Sequence, residues 1–289
     1  MVNWFALLLR ITLTQHALLI KLSCTTCCCI SLGSQVSPAP RMSAQLLSAA
    51  SSCLFQFKGH ELAQFGWGLA TMKIRVEQQW LEPWQGAVTG VLPQLTPQGL
   101  AMVLWATARL TEQQHMSVST VAAAAAAMGD GSISISSSSS KEWLGAVEGV
   151  LQQQLPQHGT HSLSICLWAM GKLGYQPHRE VTGAALDLIQ PQLSTASTTD
   201  LAVLLCSLAA LGYRPSKAWL AAHGAAVRRR LGALGTRRVS NLLWAHAKLR
   251  ARPEDEGLLG DMVGVLHGGL QVRVYYGLLD KPQPRQQLK

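Results

Sequence analysis

The chain has 289 residues, of which 48% are apolar and 13% are charged. The charged share is about half the usual one, which excludes an intrinsically disordered protein and indicates extensive packing. The net charge of +9 is uneven, because residues 201–289 hold 14 Lys and Arg against five Asp and Glu, whereas residues 1–200 hold ten of each. This surplus predicts an anionic partner at the C-terminal end, and a solvated basic surface is the alternative.

The first sixty residues contain no acid, and they include Arg10, Lys21 and Arg41 among many Ser and Thr. This composition is typical of an organellar transit peptide, which we place at residues 1–41 and expect to be mostly disordered. A secretory signal, a wrong start site and a cytosolic protein are the alternatives. No stretch reaches the ~18 apolar residues that a membrane span needs. The Cys24–Cys29 cluster lacks a second ligand pair at zinc-finger spacing, so no metal and no cofactor is predicted.

A leucine- and tryptophan-rich segment recurs five times along the chain. Its last residues are Trp67, Trp105, Trp168, Cys206 and Trp244, separated by 38, 63, 38 and 38 residues. The longer interval contains an insert of about 25 residues that is rich in Ala and Ser. A fixed period of this size predicts an all-α fold, a right-handed α-solenoid of two-helix repeats with a 38-residue period.

Each repeat is predicted to contain two helices, called here the A helix and the B helix. An A helix has apolar residues at steps of four, which form one stripe: Trp80, Trp84, Val88 and Leu92; Trp143, Val147, Leu151 and Leu155; Val181, Ala185, Ile189 and Leu193; Trp219, His223, Val227 and Leu231. The B helix holds the recurring segment and is apolar nearly all round, so its tryptophans are predicted to lie in the core. We expect His223 to be a core histidine.

Local signals mark the ends of the B helices. Thr96 and Ser197 suit an N-cap, and Pro97 suits the first helical position. Gly174 and Gly212, each followed by a proline three residues later, are typical of left-handed helix C-termini.

The domain organisation follows from these elements. We predict repeats 1 and 2 at residues 42–116, an Ala/Ser insert at 117–140 and repeats 3 to 5 at 141–256. An incomplete terminal repeat and a polar tail follow at 257–289.

The segments Leu163–Pro177 and Val239–Leu249 resemble the octotricopeptide repeat (OPR), a family of algal organelle proteins built from 38-residue helical pairs. The same core is similar to the FAST-kinase leucine-rich family of mitochondrial RNA-handling proteins. The resemblance implies a chloroplast or mitochondrial helical-repeat protein that binds single-stranded RNA. It further implies a role in the processing, stability or translation of specific transcripts, beside other proteins of an RNA-processing or ribosome-associated complex. Cys206 departs from the pattern, since a tryptophan is expected there.

Equivalent positions of successive repeats predict where RNA binds, because helical repeats can read one base each. The A helices align Thr89, Gln152, Gln190 and Arg228, and the B helices align Arg109, Lys172 and Lys248 one turn after the tryptophan. Further predicted phosphate contacts are Arg229, Arg230, Arg237, Arg238, Arg250 and Arg252. Stabilisation of helix C-termini and simple solvation are the alternatives for the two aligned sets.

The sequence carries no pattern typical of a catalytic site, and its 15 acids do not recur at equivalent repeat positions. We therefore predict that the protein is not an enzyme. The alternative function is a protein–protein scaffold that acts as an assembly factor without direct RNA binding. A third alternative is a fragment with no independent role.

Overall fold

The computed structural model of the protein describes residues 40–118, 138–250 and 256–279. Most of the predicted transit peptide, the Cys24–Cys29 cluster, most of the predicted Ala/Ser insert, Arg252 and the end of the polar tail lie outside these ranges. Eleven α-helices and no strands occur in the described residues, which confirms the all-α prediction. They are α1 (Pro40–Ser51), α2 (Gly59–Thr71), α3 (Gln78–Val91), α4 (Pro97–Val118), α5 (Ser138–Gln154), α6 (Thr160–Lys172), α7 (Arg179–Ile189), α8 (Thr198–Leu211), α9 (Lys217–Arg229), α10 (Thr236–Lys248) and α11 (Glu256–Leu279).

Helices α1, α3, α5, α7 and α9 are A helices, and α2, α4, α6, α8 and α10 are B helices. All five A helices are followed by a short 3₁₀ turn that leads into the next B helix. Helix α11 is one continuous element in the segment predicted as the incomplete terminal repeat. None of the helices in the described residues is both long and apolar enough to cross a bilayer.

The chain forms two compact units. The first runs to His158 and includes Ala169–Pro177, and the second comprises Gly159–Trp168 and the residues from His178 onwards. Within the first unit, α2 packs against α4, α1 against α3, and α3 against α5. Within the second, α8 packs against α10, and α10 against α11. B helices thus pack on B helices in both units, and A helices pack on A helices in the first. B helices also contact the A helix that follows them, as α2 does with α3 and α8 with α9, and this is the arrangement expected of an α-solenoid.

The predicted apolar stripes of the A helices form the core. Trp84, Val88, Val147, Ile189 and Val227 are completely buried. Of the sixteen residues in the four stripes, fifteen are buried and only Leu231 is half-buried. The period-four interpretation of these helices is therefore confirmed, and the 38-residue period stays a sequence prediction.

Three A-helix tryptophans make the same hydrogen bond to the preceding A helix. The indole Nε1 of Trp80 donates to the Leu47 carbonyl (3.1 Å), that of Trp143 to Gln85 (3.2 Å), and that of Trp219 to Leu186 (3.3 Å). Buried indoles normally find such a partner. The bond fixes the register between consecutive A helices in each unit where it occurs.

The predicted helix ends are also confirmed. The Thr96 hydroxyl accepts from the Gly99 amide (3.1 Å) and the Ser197 hydroxyl from the Asp200 amide (3.1 Å). Gly174 and Gly212 have φ angles of 66° and 65°, the left-handed conformation that ends a helix without steric cost to glycine.

Trp84 requires a glycine opposite its ring. A Cβ atom at Gly66 would lie 2.5 Å from Cζ2 of Trp84 and 3.1 Å from its Cε2. Trp84 is completely buried, so its ring has little room to move away.

We expect Gly66→Ala to lower the free energy of unfolding by about 1–3 kcal/mol, because the added methyl overpacks this contact. Gly90 is the matched control, since it also lies in a helix and a Cβ there meets nothing within 4 Å. Gly90→Ala should instead raise stability by about 0.5–1 kcal/mol. Urea unfolding of the full chain, followed by circular dichroism, measures both, and equal effects of the two changes would contradict the packing argument.

His223 is a core histidine, as predicted. Its ring is completely buried, stacks 5.2 Å from the Trp219 ring, and donates from Nε2 to the Leu201 carbonyl over 2.9 Å. The pKa of His223 is lowered to about 4, mainly because the ring is buried. The bond to the Leu201 carbonyl raises the pKa in part, and the nearby His246 contributes a smaller lowering.

The pKa of His223 in the folded protein is below the ordinary value of about 6.5, so protonation of the ring destabilises the folded state. The stabilisation that the neutral His223 ring gives to the fold is complete above pH 6.5 and is lost as the pH falls towards 4. Between pH 7 and pH 4 we expect the loss to be about 3 kcal/mol in the unfolding free energy. His223→Gln keeps a donor but cannot titrate, so its stability should fall less over this range. If the unfolding free energies of the unchanged protein and of His223→Gln fell equally with pH, His223 would not be the titrating group.

Candidate nucleic-acid interface

Helices α2, α4, α6 and α8 each leave one narrow stripe accessible to solvent, whereas α10 is exposed over a larger part of its surface. In α2, for example, Leu62, Phe65 and Leu69 are buried, whereas Trp67 and Thr71 are half-buried. We call the equivalent residues of the B helices the outer stripe, and all of them are half-buried or exposed. They are Gln64, Trp67 and Thr71 of α2; Met102, Trp105 and Arg109 of α4; Ile165, Trp168 and Lys172 of α6; Val203, Cys206 and Ala210 of α8; and Asn241, Trp244 and Lys248 of α10.

The prediction that the B-helix tryptophans lie in the core was wrong. Trp67, Trp105 and Trp168 are only half-buried, and Trp244 is 43% exposed. Neighbouring helices cover most of the circumference of a B helix, and the tryptophan position falls on the side they leave open. A helix that carries apolar residues on nearly all sides can therefore still leave one side accessible to solvent.

Cations lie beside two of these indoles, Trp105 and Trp244. The guanidinium carbon of Arg109 is 5.9 Å from the centre of the Trp105 ring, and Nζ of Lys248 is 5.2 Å from that of Trp244. Both distances are within the range of a cation–π interaction. The spacing of four residues places the cation one turn along the same side of the helix. In the first unit the Trp67 and Trp105 rings are also neighbours, with centres 6.3 Å apart.

Glu112 joins two of the predicted RNA-binding cations. Its carboxylate is 2.6 Å from Nη1 of Arg109 and 3.5 Å from Nζ of Lys172. All three side chains are accessible, with exposed fractions between 29% and 38%. Sequence reasoning missed Glu112, although its position three residues after Arg109 on the same helix side was a usable signal.

The three arginines of the run Arg228–Arg230 lie in different environments. Arg228 forms an ion pair with Asp261 (3.0 Å), and Arg230 is half-buried and donates from Nη2 to the Ser194 carbonyl. Arg229 is exposed, as Arg228 also is. Of the three predicted phosphate contacts in this run, Arg229 is the one best placed to meet a ligand.

Arg237 and Arg238 are exposed in the first turn of α10. Cations in this position oppose the helix dipole, so helix stability does not explain them. Lys248 lies in the last turn, where the dipole favours it. Arg250 is exposed, and its carbonyl accepts from Nη2 of Arg214 over 3.3 Å.

The aligned A-helix residues belong to a different layer from the outer stripe. Thr89 is exposed and donates to the Gln85 carbonyl of its own helix (2.8 Å), Gln152 is exposed, and Gln190 is half-buried at the end of α7. The two aligned sets therefore lie on separate helices and are not brought together as one row of side chains.

No group of three or more His, Cys, Asp or Glu in the described ranges is placed to hold a metal ion. Burial raises the pKa of the Cys166 thiol to about 12 and that of Cys206 to about 11, so both stay protonated at neutral pH.

One comparison with known proteins bears on function. Residues 142–258 match the family described as Tbc2 translation factor, N-terminal domain. The match covers less than half of the chain and includes nearly all of α5, all of α6 to α10 and the start of α11. No curated protein matches the chain. This part of the chain thus resembles a domain of a translation factor.

Proposed function

We propose that the protein binds single-stranded RNA in the chloroplast or mitochondrion and supports the translation of particular transcripts, without catalysing a reaction. The observation that carries the proposal is the pairing of an accessible indole with a cation on the outer stripe, at Trp105 with Arg109 and at Trp244 with Lys248. Proteins that hold single strands combine the same two groups, because aromatic rings stack on bases and cations attract phosphates.

Two further observations support this function. The second unit carries exposed arginines at Arg229, Arg237 and Arg238, near the basic end of the sequence. The match of residues 142–258 to a translation-factor domain covers the same three residues. The transit-peptide composition of residues 1–41 and the OPR-like segments support the organellar location.

The second candidate is a protein–protein scaffold. The 43% exposure of Trp244 favours it, since accessible tryptophans are also enriched in protein interfaces. The two candidates differ in their dependence on salt, because counterion release makes RNA binding weaker as salt increases.

The first test removes charge from α10. Full-length protein is titrated with labelled oligouridine in filter-binding assays at a series of salt concentrations. Changing Arg237, Arg238 and Lys248 together to Gln should weaken binding and reduce the salt slope by about 2, since each phosphate contact to a single strand contributes about 0.7.

The matched control changes Arg75, Lys141 and Lys217 to Gln, which removes the same charge from exposed positions that are not in B helices. This variant should keep most of the salt slope. Equal slopes for the two variants would refute α10 as the RNA-binding surface. Salt-insensitive binding, or none, in the unchanged protein would favour the scaffold.

The second test removes an indole. Trp244→Ala should weaken oligouridine binding by about 1–3 kcal/mol, the usual contribution of one stacked base. Phe55→Ala is the control, because Phe55 is 74% exposed but follows an A helix. It should leave affinity unchanged. Thermal unfolding verifies that both variants stay folded, and equal affinities for the two would show that Trp244 does not stack on RNA.

A further inference from the structure

The Arg109 guanidinium, in the first unit, is positioned by contacts with two side chains of its own helix. On one side it lies 5.9 Å from the Trp105 ring centre, and on the other Nη1 is 2.6 Å from the Glu112 carboxylate. The side chain nevertheless remains 38% exposed. A planar, accessible group fixed in this way offers a flat surface for stacking, and guanidinium planes are known to stack on unpaired RNA bases.

Glu112 is an unexpected residue on such a surface, because a carboxylate repels RNA phosphates. Arg109 and Lys172 offset its charge, so the three side chains together are net positive. A carboxylate offers about four lone-pair positions, and the two cations use only part of them. The remaining acceptor positions suit a ligand that presents N–H groups.

Among the four RNA bases, guanine fits these positions best. Its N1–H and N2 amino group are adjacent donors on one edge, and a carboxylate can accept from both at once. Adenine and cytosine each place a ring acceptor beside their amino group, and uracil places its single N–H between two carbonyls. In each of these three bases an acceptor would face the carboxylate at close range.

We propose that Glu112, with Arg109 as the stacking surface and Lys172 as the phosphate contact, selects guanine at one position of the bound RNA. This inference rests on the proposed function, because it needs RNA on the outer stripe. The residues equivalent to Glu112 in the neighbouring repeats are Ile74, Tyr175 and Tyr213, none of which is an acid. Selection of this kind is therefore confined to one repeat among those the structure describes.

The experiment compares oligouridine strands that carry a single central guanosine, inosine or adenosine with the all-uridine strand. Full-length protein and Glu112→Gln are titrated with each strand at one salt concentration. Unchanged protein should bind the guanosine strand about tenfold more tightly than the all-uridine strand, a difference of about 1.4 kcal/mol. Inosine lacks the amino group and should give a smaller gain, and adenosine should give none.

Glu112→Gln should remove the guanosine preference and bind the all-uridine strand at least as well as the unchanged protein, because a negative charge is lost. A purely structural role would weaken all strands equally. Glu142→Gln removes an exposed acid from an A helix and should keep the preference. A preference that survives in Glu112→Gln, or binding of all strands with equal affinity, would overturn this inference alone. Absence of binding to every strand would overturn the proposed function.

Discussion

The bond between an A-helix indole and the A helix before it is the interaction on which the rest of the structure depends. It occurs at Trp80, Trp143 and Trp219, with donor–acceptor distances between 3.1 and 3.3 Å. Each bond buries a large ring and satisfies its polar atom at once, so it is specific as well as stabilising. Trp84 shows the contrast, because its ring is completely buried and its Nε1 has no partner among the described residues. Its packing depends on shape alone, which is why Gly66 must stay small.

The outer stripe is a consequence of this packing. A B helix is covered by the B helices beside it and by the A helix that follows it in the chain. One side remains accessible to solvent, and core packing does not determine which residues it carries. In this chain that side carries four indoles and Cys206, followed one turn later by Thr71, Arg109, Lys172, Ala210 and Lys248. Three of these five are cations, which is more than packing requires.

Much of the fold was predictable because its signals are local or periodic. The caps at Thr96 and Ser197 and the left-handed Gly174 and Gly212 depend only on nearby residues, and the A-helix stripes depend on a step of four. The exposure of Trp244 was not predictable in this way, because an apolar helix does not show which side its neighbours leave open. The separate roles of Arg228, Arg229 and Arg230 depend on Ser194 and Asp261, which lie more than thirty positions away in the sequence.

The two units also differ in the balance of charge on the predicted RNA-binding residues. In the second unit Arg237, Arg238 and Lys248 are exposed cations on α10, whereas in the first unit Glu112 partly neutralises Arg109 and Lys172. Exposed cations give affinity that is strong, sensitive to salt and indifferent to sequence. A cation pair held by a carboxylate gives up part of that affinity, but it gains an acceptor that can distinguish one base edge from another. If both units contact the same strand, α10 supplies most of the attraction to phosphate and the Glu112 site supplies the discrimination. Salt should then weaken the binding of all strands while leaving the ratio between guanosine and uridine strands nearly constant.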